Sequence, residues 1–296
     1  MPVVLDRVSY RRGEDTLMAF NWYPGHMAKA RRAMTEDIKL IDIIVELVDA
    51  RAPFSTRNPD IESLGAGKER IIVLNKADLA EESITRDWIT HYTEDGLYTL
   101  ALNSKDKSGM QSVLKTIDEA AGKKRERDLK RGIKNRPVRL MVAGIPNVGK
   151  STFINAHCKK NVAKTGNKPG VTKGKQWISV RRGVDLMDTP GILWPRIDDL
   201  NSQINLALIG SMNDEAINRD DLLTELIKVL KTEAPSVLQE RFGIDINDDT
   251  SAFLEKVAKS RSMMKAGGIF DTERAMEYLF MAFRGGELGR ITLETP

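Results

Sequence analysis

The chain has 296 residues, of which 41% are hydrophobic, and it carries a formal net charge of +4 with a pI near 9.0. That length suits one large or two modest globular domains, and no stretch approaches the roughly 18 apolar residues of a membrane-spanning helix. The single cysteine, Cys158, excludes an internal disulfide and a zinc site built from cysteines, so we expect a reducing, cytoplasmic compartment.

The first 17 residues contain no continuous apolar segment of the kind found in signal peptides. Asp6, Glu14 and Asp15 also argue against a transit peptide. Met18 opens the phrase MAFNWYPGHMAKARR. We therefore predict that residues 1–19 are a poorly ordered extension, or that the true start lies at Met18.

Apolar runs alternate with helical periodicity from residue 25 to about residue 190. Near-continuous apolar runs are typical of strands buried on both faces of a parallel sheet. The alternation predicts an α/β doubly wound sheet with ligand-binding loops at the carboxyl ends of its strands. Helices are predicted at 25–41, 81–93 and 108–124, strands at 41–50, 70–76, 97–104 and 138–144, and a hairpin pair at 177–180 and 184–190.

The pattern changes near residue 200, after which we find helical periodicity and no convincing strand. We predict a domain spanning 20–198 and a smaller all-helical domain spanning 199–296. The predicted helices of the second domain lie near 201–212, 214–232, 250–262 and 271–285.

The stretch IVLNKAD, residues 72–78, joins an apolar strand to a loop that fits NKxD, the element with which GTP-binding proteins read guanine. The Asp78 carboxylate can accept hydrogen bonds from both N1–H and the N2 amine of guanine, whereas adenine offers no such donor pair. Asn75 is predicted to brace the neighbouring loops, and the stem of Lys76 to stack on the base.

A second base-contacting loop is predicted after the next strand, at Asn103, Ser104 and Lys105. This position matches the place where a GTPase carries such a loop. The residues depart from the usual Ser-Ala-Lys, so the assignment rests on position more than on sequence.

The stretch GIPNVGKS, residues 144–151, follows an apolar strand and matches the phosphate-binding pattern G-x-x-x-x-G-K-[ST]. Glycines at 144 and 149 allow the backbone to curl so that its N–H groups face phosphate oxygens. Lys150 is expected to reach the β- and γ-phosphates and Ser151 to ligate Mg²⁺, and the alternative is a chance glycine-rich turn. The predicted nucleotide-binding residues of this loop are Gly144, Pro146, Asn147, Val148, Gly149, Lys150, Ser151 and Thr152.

The stretch DTPG, residues 188–191, ends a predicted strand about forty residues after the phosphate loop and fits DxxG. Asp188 would hold Mg²⁺ through water, and the N–H of Gly191 would sense the γ-phosphate. Thr172 fits a switch threonine that closes on Mg²⁺ and the γ-phosphate, or it is an ordinary loop residue. An Asp-Thr-Pro-Gly segment by itself could also be a plain turn.

These motifs occur in a shuffled order, since the base-reading loops precede the phosphate loop. A sheet can survive such a rearrangement because chain termini often lie close together at a domain surface. With this order, the chain resembles the circularly permuted, Ras-like P-loop GTPases, and within them the ribosome biogenesis GTPase A (YlqF-like) family. The matching stretches cover nearly all of 20–296: NWYPGHMAKA, VDARAPFSTRNP, LNKADL, GIPNVGKST, PGVT, DTPG and LGRITLETP.

The resemblance implies a GTPase that binds GTP, GDP and Mg²⁺ and acts as a switch in late assembly of the large ribosomal subunit. It also implies that the helical domain contacts ribosomal RNA. Permuted relatives that act on the small subunit usually carry an added zinc module or OB-fold barrel, and neither fits this sequence. We expect no DNA or membrane partner, and a monomer away from the ribosome.

The group that handles the attacking water is not obvious from the sequence. Ile192 and Leu193 follow DTPG, where Ras-like enzymes place a water-orienting glutamine. The resembled family carries its proposed catalytic histidine in the GHM element, here at His26, although an isolated histidine is more often structural. Resemblance also suggests that Asn147 helps to bind a stimulatory K⁺ ion, or that it simply braces its loop. Together, the residues predicted to serve catalysis are His26, Lys150, Thr172 and Gly191.

Basic residues in two places are candidates for contact with RNA phosphates. Residues 123–136 carry eight basic and two acidic residues, and they fit equally a solvated helix end and linker. Further candidates are Lys29, Arg31, Arg32, Lys256, Lys259, Arg261, Lys265, Arg284 and Arg290.

Two other functions stay open at this point. One is a GTP-controlled placeholder or RNA-binding module whose hydrolysis is incidental. The other is an ATP-using P-loop enzyme, which Asp78 disfavours. An organellar version of the same GTPase is disfavoured by the acidic N-terminus.

Overall fold

Six strands form one mixed sheet in the computed structural model, with the order β3-β2-β1-β4-β6-β5. The structure describes residues 32, 34–106, 109–134, 136–157, 177–188, 197, 199–212 and 217–296. All neighbouring strands are parallel except β5 and β6, which form the predicted antiparallel hairpin. The strands are β1 (Ile43–Asp49), β2 (Glu69–Asn75), β3 (Tyr98–Leu102), β4 (Val138–Ala143), β5 (Trp177–Arg181) and β6 (Val184–Asp188).

Helices cover both faces of the sheet, which explains why its central strands are buried and largely apolar. All seven residues of β1 are buried. On one face, α2 packs Trp88 and Tyr92 against Ile72 and Leu74. The opposite face is covered by α3 and α5, among others. The helices associated with the sheet are α1 (Pro59–Leu64), α2 (Glu82–Glu94), α3 (Met110–Ala120), α4 (Gly122–Lys130) and α5 (Lys150–His157). The predicted doubly wound α/β fold is confirmed.

From residue 199 onward the described chain is mainly helical and has its own apolar core. Its helices are α6 (Leu200–Leu208), α7 (Arg219–Glu233), α8 (Pro235–Phe242), α9 (Thr250–Ser260) and α10 (Thr272–Gly285). We call residues 199–296 the helical region. Among its described residues the extended pairing is one isolated bridge between Met264 and Phe270.

Short polar side chains start many of these helices by accepting a hydrogen bond from the first-turn backbone, which satisfies otherwise unpaired N–H groups. Asn58 caps α1 and Asp199 caps α6 in this way, with N–H to oxygen distances of 2.9 and 2.8 Å. Asn218, Asp249 and Asp271 do the same for α7, α9 and α10.

None of the helices in the described residues combines the length and the apolar character that a membrane span requires.

The structure differs from the predicted elements in three places. The single helix predicted at 108–124 is two helices that meet at Ala121, and the second extends through most of the basic segment. The short helices α1 and α8 were not predicted, since six and eight residues give little periodicity. Of the helix predicted at 25–41, the described part is α-helical up to Asp37 and ends in a 3-10 helix at Ile38–Leu40.

Candidate functional site

The predicted nucleotide-binding loops emerge at one edge of the sheet. NKAD follows β2, the second base loop follows β3, and the phosphate loop follows β4. Asp188 ends β6, where its Cα pairs in register with Val142, two residues before the phosphate loop. Because these strands run parallel, their carboxyl ends lie side by side and the shuffled order along the chain does not separate the loops in space.

Asn75 joins three of these loops through its side-chain amide. Its Nδ2 donates to the backbone oxygen of Val148 in the phosphate loop, at 2.7 Å. Its Oδ1 accepts from both the backbone N and the Oγ of Ser104, at 3.0 and 2.7 Å. Asn75 and Ser104 are both buried, so this bracing is shielded from water. In the same loop, the side chain of Asn103 accepts from the backbone N of Lys105, whose side chain is exposed.

The two charged residues of NKAD, Lys76 and Asp78, face different environments. Lys76 adopts the left-handed conformation with φ 59°, and its Nζ lies 2.7 Å from the Asp49 carboxylate. Asp78 is half-buried, and its Oδ1 is buried with no hydrogen-bond partner among the described residues. A buried carboxylate oxygen without a partner is costly, which points to a ligand that donates to it.

The phosphate loop depends on both of its glycines. Gly149 has φ 99°, and a Cβ there would lie 2.3 Å from Asn75 Nδ2. Gly144 has φ 148°, and a Cβ there would lie 2.5 Å from the backbone oxygen of Leu47 in β1. Any larger residue would therefore push the loop away from the base-reading strand or from β1.

The remaining phosphate-loop residues are arranged around the start of α5. Lys150 is buried, and its Nζ donates to the backbone oxygen of Ile145 at 2.7 Å. Pro146 and Val148 are buried, whereas Ser151 and Thr152 are half-buried in the first turn. The N–H groups of that turn and the helix dipole favour a bound anion.

Asn147 occupies the exposed tip of this loop in a left-handed conformation with φ 63°. Its Nδ2 donates to the backbone oxygen of Gly210, just beyond α6, at 2.7 Å. The phosphate loop is therefore bonded directly to the helical region. Three predicted site residues, His26, Thr172 and Gly191, lie outside the described residues.

Comparisons with known proteins identify the family to which the chain belongs. A protein-family model described as "50S ribosome-binding GTPase" matches residues 139–253. The chain is 41% identical to ribosome biogenesis GTPase A of Bacillus cereus over 94% of its own length and 95% of that protein. It is 33% identical to ribosome biogenesis GTPase A of Thermotoga maritima over 93% of its length and 94% of that protein.

Among solved structures, GNP-bound YlqF from T. maritima matches with a TM-score of 0.65 and 30% identity, covering 90% of this chain and 98% of that one. The chain belongs to the ribosome biogenesis GTPase A family. It is therefore a GTP-hydrolysing protein that binds guanine nucleotides and acts in ribosome biogenesis. The predicted family and fold class are confirmed.

Two further residues at this edge of the GTPase's sheet, Asp49 and Arg51, were not among the predicted site residues. Asp49 is fully buried at the end of β1, and both of its oxygens accept from Arg51 at 2.9 Å. Burial alone would raise the pKa of Asp49, but the charges of Lys76 and Arg51 together hold that pKa well below its ordinary range. An acidic residue that ends an apolar run was the available signal, since it places a carboxylate at the same edge as NKAD.

The C-terminal segment of the GTPase packs against the base-reading side of the sheet. Ile291 N donates to the backbone oxygen of Leu79, directly after NKAD, at 3.1 Å. Trp88 Nε1 donates to the backbone oxygen of Glu294 at 3.1 Å. The Glu294 carboxylate accepts from Ser55 Oγ and, at 2.7 Å, from Phe54 N. The loop after β1 is thereby held by the end of the chain.

Many of the predicted RNA-contacting residues in the described chain are paired with acidic groups. Lys124 is buried beside Asp128, at 2.8 Å. Lys256 pairs with Asp248, and Lys265 lies 3.6 Å from Asp271. Arg284 is half-buried, and its guanidinium donates to the backbone oxygens of Ala207 and Leu208 at 2.7 and 3.1 Å. Exposed basic side chains also lie at Arg32, Arg127, Lys130, Arg131, Lys134, Lys259 and Arg290. The predicted Lys29 and Arg31 lie outside the described residues.

Proposed function

We propose that this GTPase is a nucleotide-controlled switch in late assembly of the large ribosomal subunit, working in the cytoplasm. The observation that carries the nucleotide site is the position of Asn75, which ties both base-reading loops to the phosphate loop. The description of the matching family model, a 50S ribosome-binding GTPase, supports the choice of the large subunit.

Guanine selection is assigned to the NKAD loop. The unpartnered Oδ1 of Asp78 is placed to accept from guanine, whose N1–H and N2 amine form a donor pair. Adenine lacks that pair and would leave the carboxylate unsatisfied, which a buried site penalises heavily. The stem of Lys76 would lie against the base, and the loop of Asn103, Ser104 and Lys105 would close its other side.

Phosphate binding is assigned to the backbone of Gly144–Gly149 and to Lys150. The Lys150 Nζ would exchange its bond to the Ile145 oxygen for the β- and γ-phosphates, a stronger charge-assisted contact. The hydroxyl and carboxylate oxygens of Ser151, Thr172 and Asp188 suit a hard cation, and these residues would hold Mg²⁺. The bound ion would offset phosphate charge as hydrolysis proceeds.

Roles in GTP hydrolysis are proposed for three residues, His26, Asn147 and Gly191. His26 would orient the attacking water, since Ile192 and Leu193 cannot; His26→Ala should then lower the ribosome-stimulated kcat. Asn147 donates to Gly210 through Nδ2, which leaves its Oδ1 for a potassium ion. Gly191 would sense the γ-phosphate through its N–H.

Ribosomal RNA is the proposed partner of the exposed basic residues named above, and no DNA or membrane partner is proposed. Such contacts would neutralise phosphates and release counterions, so binding should weaken steeply as salt concentration rises. The protein is proposed to be monomeric away from the ribosome.

The deciding experiment measures the rate of GTP hydrolysis by the protein alone, by the protein with purified large subunits, and by the protein with small subunits as the matched control. We expect a large rise in rate with large subunits and none with small subunits. Equal rates in all three would remove the proposed partner and favour a placeholder that does not need hydrolysis. A hydrolysis-dead variant that still supports assembly would favour the placeholder in the same way.

A further inference from the structure

The carboxyl end of β1 lies between the two halves of the nucleotide site. In the sheet, β1 separates β2, which leads into NKAD, from β4, which leads into the phosphate loop. Asp49 ends β1 and pairs in register with Asn75, the first residue of NKAD. A side chain at this position can therefore influence the base-reading loop directly.

Asp49 is shared by two cations in a fully buried setting. Its Oδ2 accepts from Lys76 Nζ at 2.7 Å and from Arg51 Nη2 at 2.9 Å. Its Oδ1 accepts from Arg51 Nε at 2.9 Å and from the Arg51 backbone N at 3.1 Å. Lys76, which is left-handed at φ 59°, is thus held at its far end by a carboxylate that has little freedom to move.

Arg51 connects the Asp49 carboxylate to the helical region. It is 2% exposed, and its Nη1 donates to the backbone oxygen of Arg284 at 3.2 Å. Its guanidinium carbon lies 5.9 Å from the centre of the Phe283 ring. Its own backbone oxygen accepts from Leu293 N at 2.7 Å. Helix α10 and the C-terminal segment therefore fix the position of Arg51, which in turn binds Asp49.

We propose that Asp49 and Arg51 are positioning residues of the guanine subsite, which set where the stem of Lys76 lies against the base. Asp49 anchors the lysine, and Arg51 anchors Asp49 on the helical region. This inference rests on the proposed contact between Lys76 and guanine.

Glu46 is a second buried carboxylate in β1 and provides a matched control, because it is as buried as Asp49 but has other partners. Glu46 is 0% exposed and pairs with Arg70 at 3.2 Å. It also accepts from Asn58 N at 3.0 Å. None of these partners belongs to a predicted nucleotide loop, so Glu46→Gln changes a buried ion pair without touching Lys76.

The test measures GDP affinity and GTP turnover of the full chain for Asp49→Asn, Arg51→Lys and Glu46→Gln. GDP binding is followed with a ribose-labelled fluorescent GDP, at a temperature where circular dichroism shows each variant to be folded. Asp49→Asn should weaken GDP binding about tenfold or more and raise the KM for GTP equally, since a charge-assisted contact is lost. The kcat at saturating GTP should stay within about twofold, because only positioning of the base is affected.

Arg51→Lys keeps a positive charge but loses the forked contact with Asp49 and the bond to Arg284. It should weaken GDP binding by an intermediate factor, while Glu46→Gln binds GDP like the unaltered protein. If Asp49→Asn does not fold, Arg51→Lys decides, and an unchanged GDP affinity in the folded variant overturns the proposal. Equal losses in Asp49→Asn and Glu46→Gln would also overturn it, by showing general destabilisation. An unaltered protein that binds ADP as tightly as GDP would instead refute the guanine assignment itself.

Discussion

The amino ends of the parallel strands form one edge of the sheet, the amino edge, and their carboxyl ends form the opposite, carboxyl edge. Both edges bury charged side chains, but they balance the charge differently. At the amino edge, Lys124 lies 2.8 Å from Asp128 and 3.7 Å from Asp42. Asp42 also accepts from the backbone N of Arg139 at 2.9 Å. At the carboxyl edge, one carboxylate, Asp49, serves two cations, and an Asp78 oxygen has no partner among the described residues.

This difference separates a structural ion cluster from a binding site. At the amino edge, two carboxylates face two cations, because Arg136 also lies 3.9 Å from Asp42, so the charges are matched within the protein. At the carboxyl edge, Lys76 and Arg51 are already paired with Asp49, whereas Lys150 suits an anionic ligand and the free oxygen of Asp78 suits a donor. A nucleotide supplies both, with phosphates at one end and the N–H groups of guanine at the other.

The largest effect that should separate the two edges is a change of base preference. Asp78→Asn replaces a double acceptor by a group that donates on one side, so GDP affinity should fall by at least about a hundredfold. Xanthine carries a carbonyl where guanine has its amine, so xanthosine diphosphate should now bind better than GDP. Asp42→Asn, at the amino edge, should leave both affinities unchanged. Competition binding with the two nucleotides measures this, and unaltered GDP affinity in Asp78→Asn would contradict the assigned base site.

A smaller effect is expected from a methyl group placed at the carboxyl edge. Gly149→Ala would bring a Cβ to within 2.3 Å of Asn75 Nδ2, displacing the amide that joins the loops. GDP affinity should fall about tenfold, because misplacement of loop N–H groups is costly. The matched control is Gly132→Ala, which has a similar positive φ of 70° with nothing within 4 Å. It should lower stability by about 1 kcal/mol without changing affinity. Equal affinity in both variants would show that the contact with Asn75 is not needed.

The smallest expected effect is on the pH dependence of stability. It compares Glu46, in the middle of β1, with Asp49 at its carboxyl end. Burial raises the pKa of Glu46 above its ordinary value despite Arg57 and Arg70, whereas Lys76 and Arg51 lower that of Asp49 against the effect of burial. The Glu46 contribution to stability is therefore full below about pH 4 and declines as pH rises. The Asp49 contribution is present above about pH 4 and is lost as pH falls.

Urea unfolding between pH 3 and pH 7 tests the signs of these two contributions. Relative to the unaltered protein, Glu46→Gln should become more stable as pH rises, and Asp49→Asn should become less destabilising as pH falls. Parallel curves for the two variants would show that the middle and the carboxyl end of β1 do not differ electrostatically.

Much of the fold and the nucleotide motifs could be predicted because they are local patterns. An apolar run followed by NKAD or GIPNVGKS specifies a strand, its loop and the loop's chemistry within about ten residues. Short helices such as α1 and α8 escaped prediction, since their stability comes from caps and packing more than from periodicity. The boundary between residues 198 and 199 stays a prediction, as do the roles of His26, Thr172 and Gly191.

The sequence by itself predicted which loops bind phosphate and base, and that their shuffled order is compatible with one site, because parallel strands deliver their loops to a common edge. The tertiary structure alone decided what supports those loops. Asn147 meets Gly210, Arg51 meets Arg284, and Glu294 meets Ser55 across separations of 63, 233 and 239 residues. Such partners depend on strand order and on how the helical region packs against the sheet, and no local pattern encodes either one.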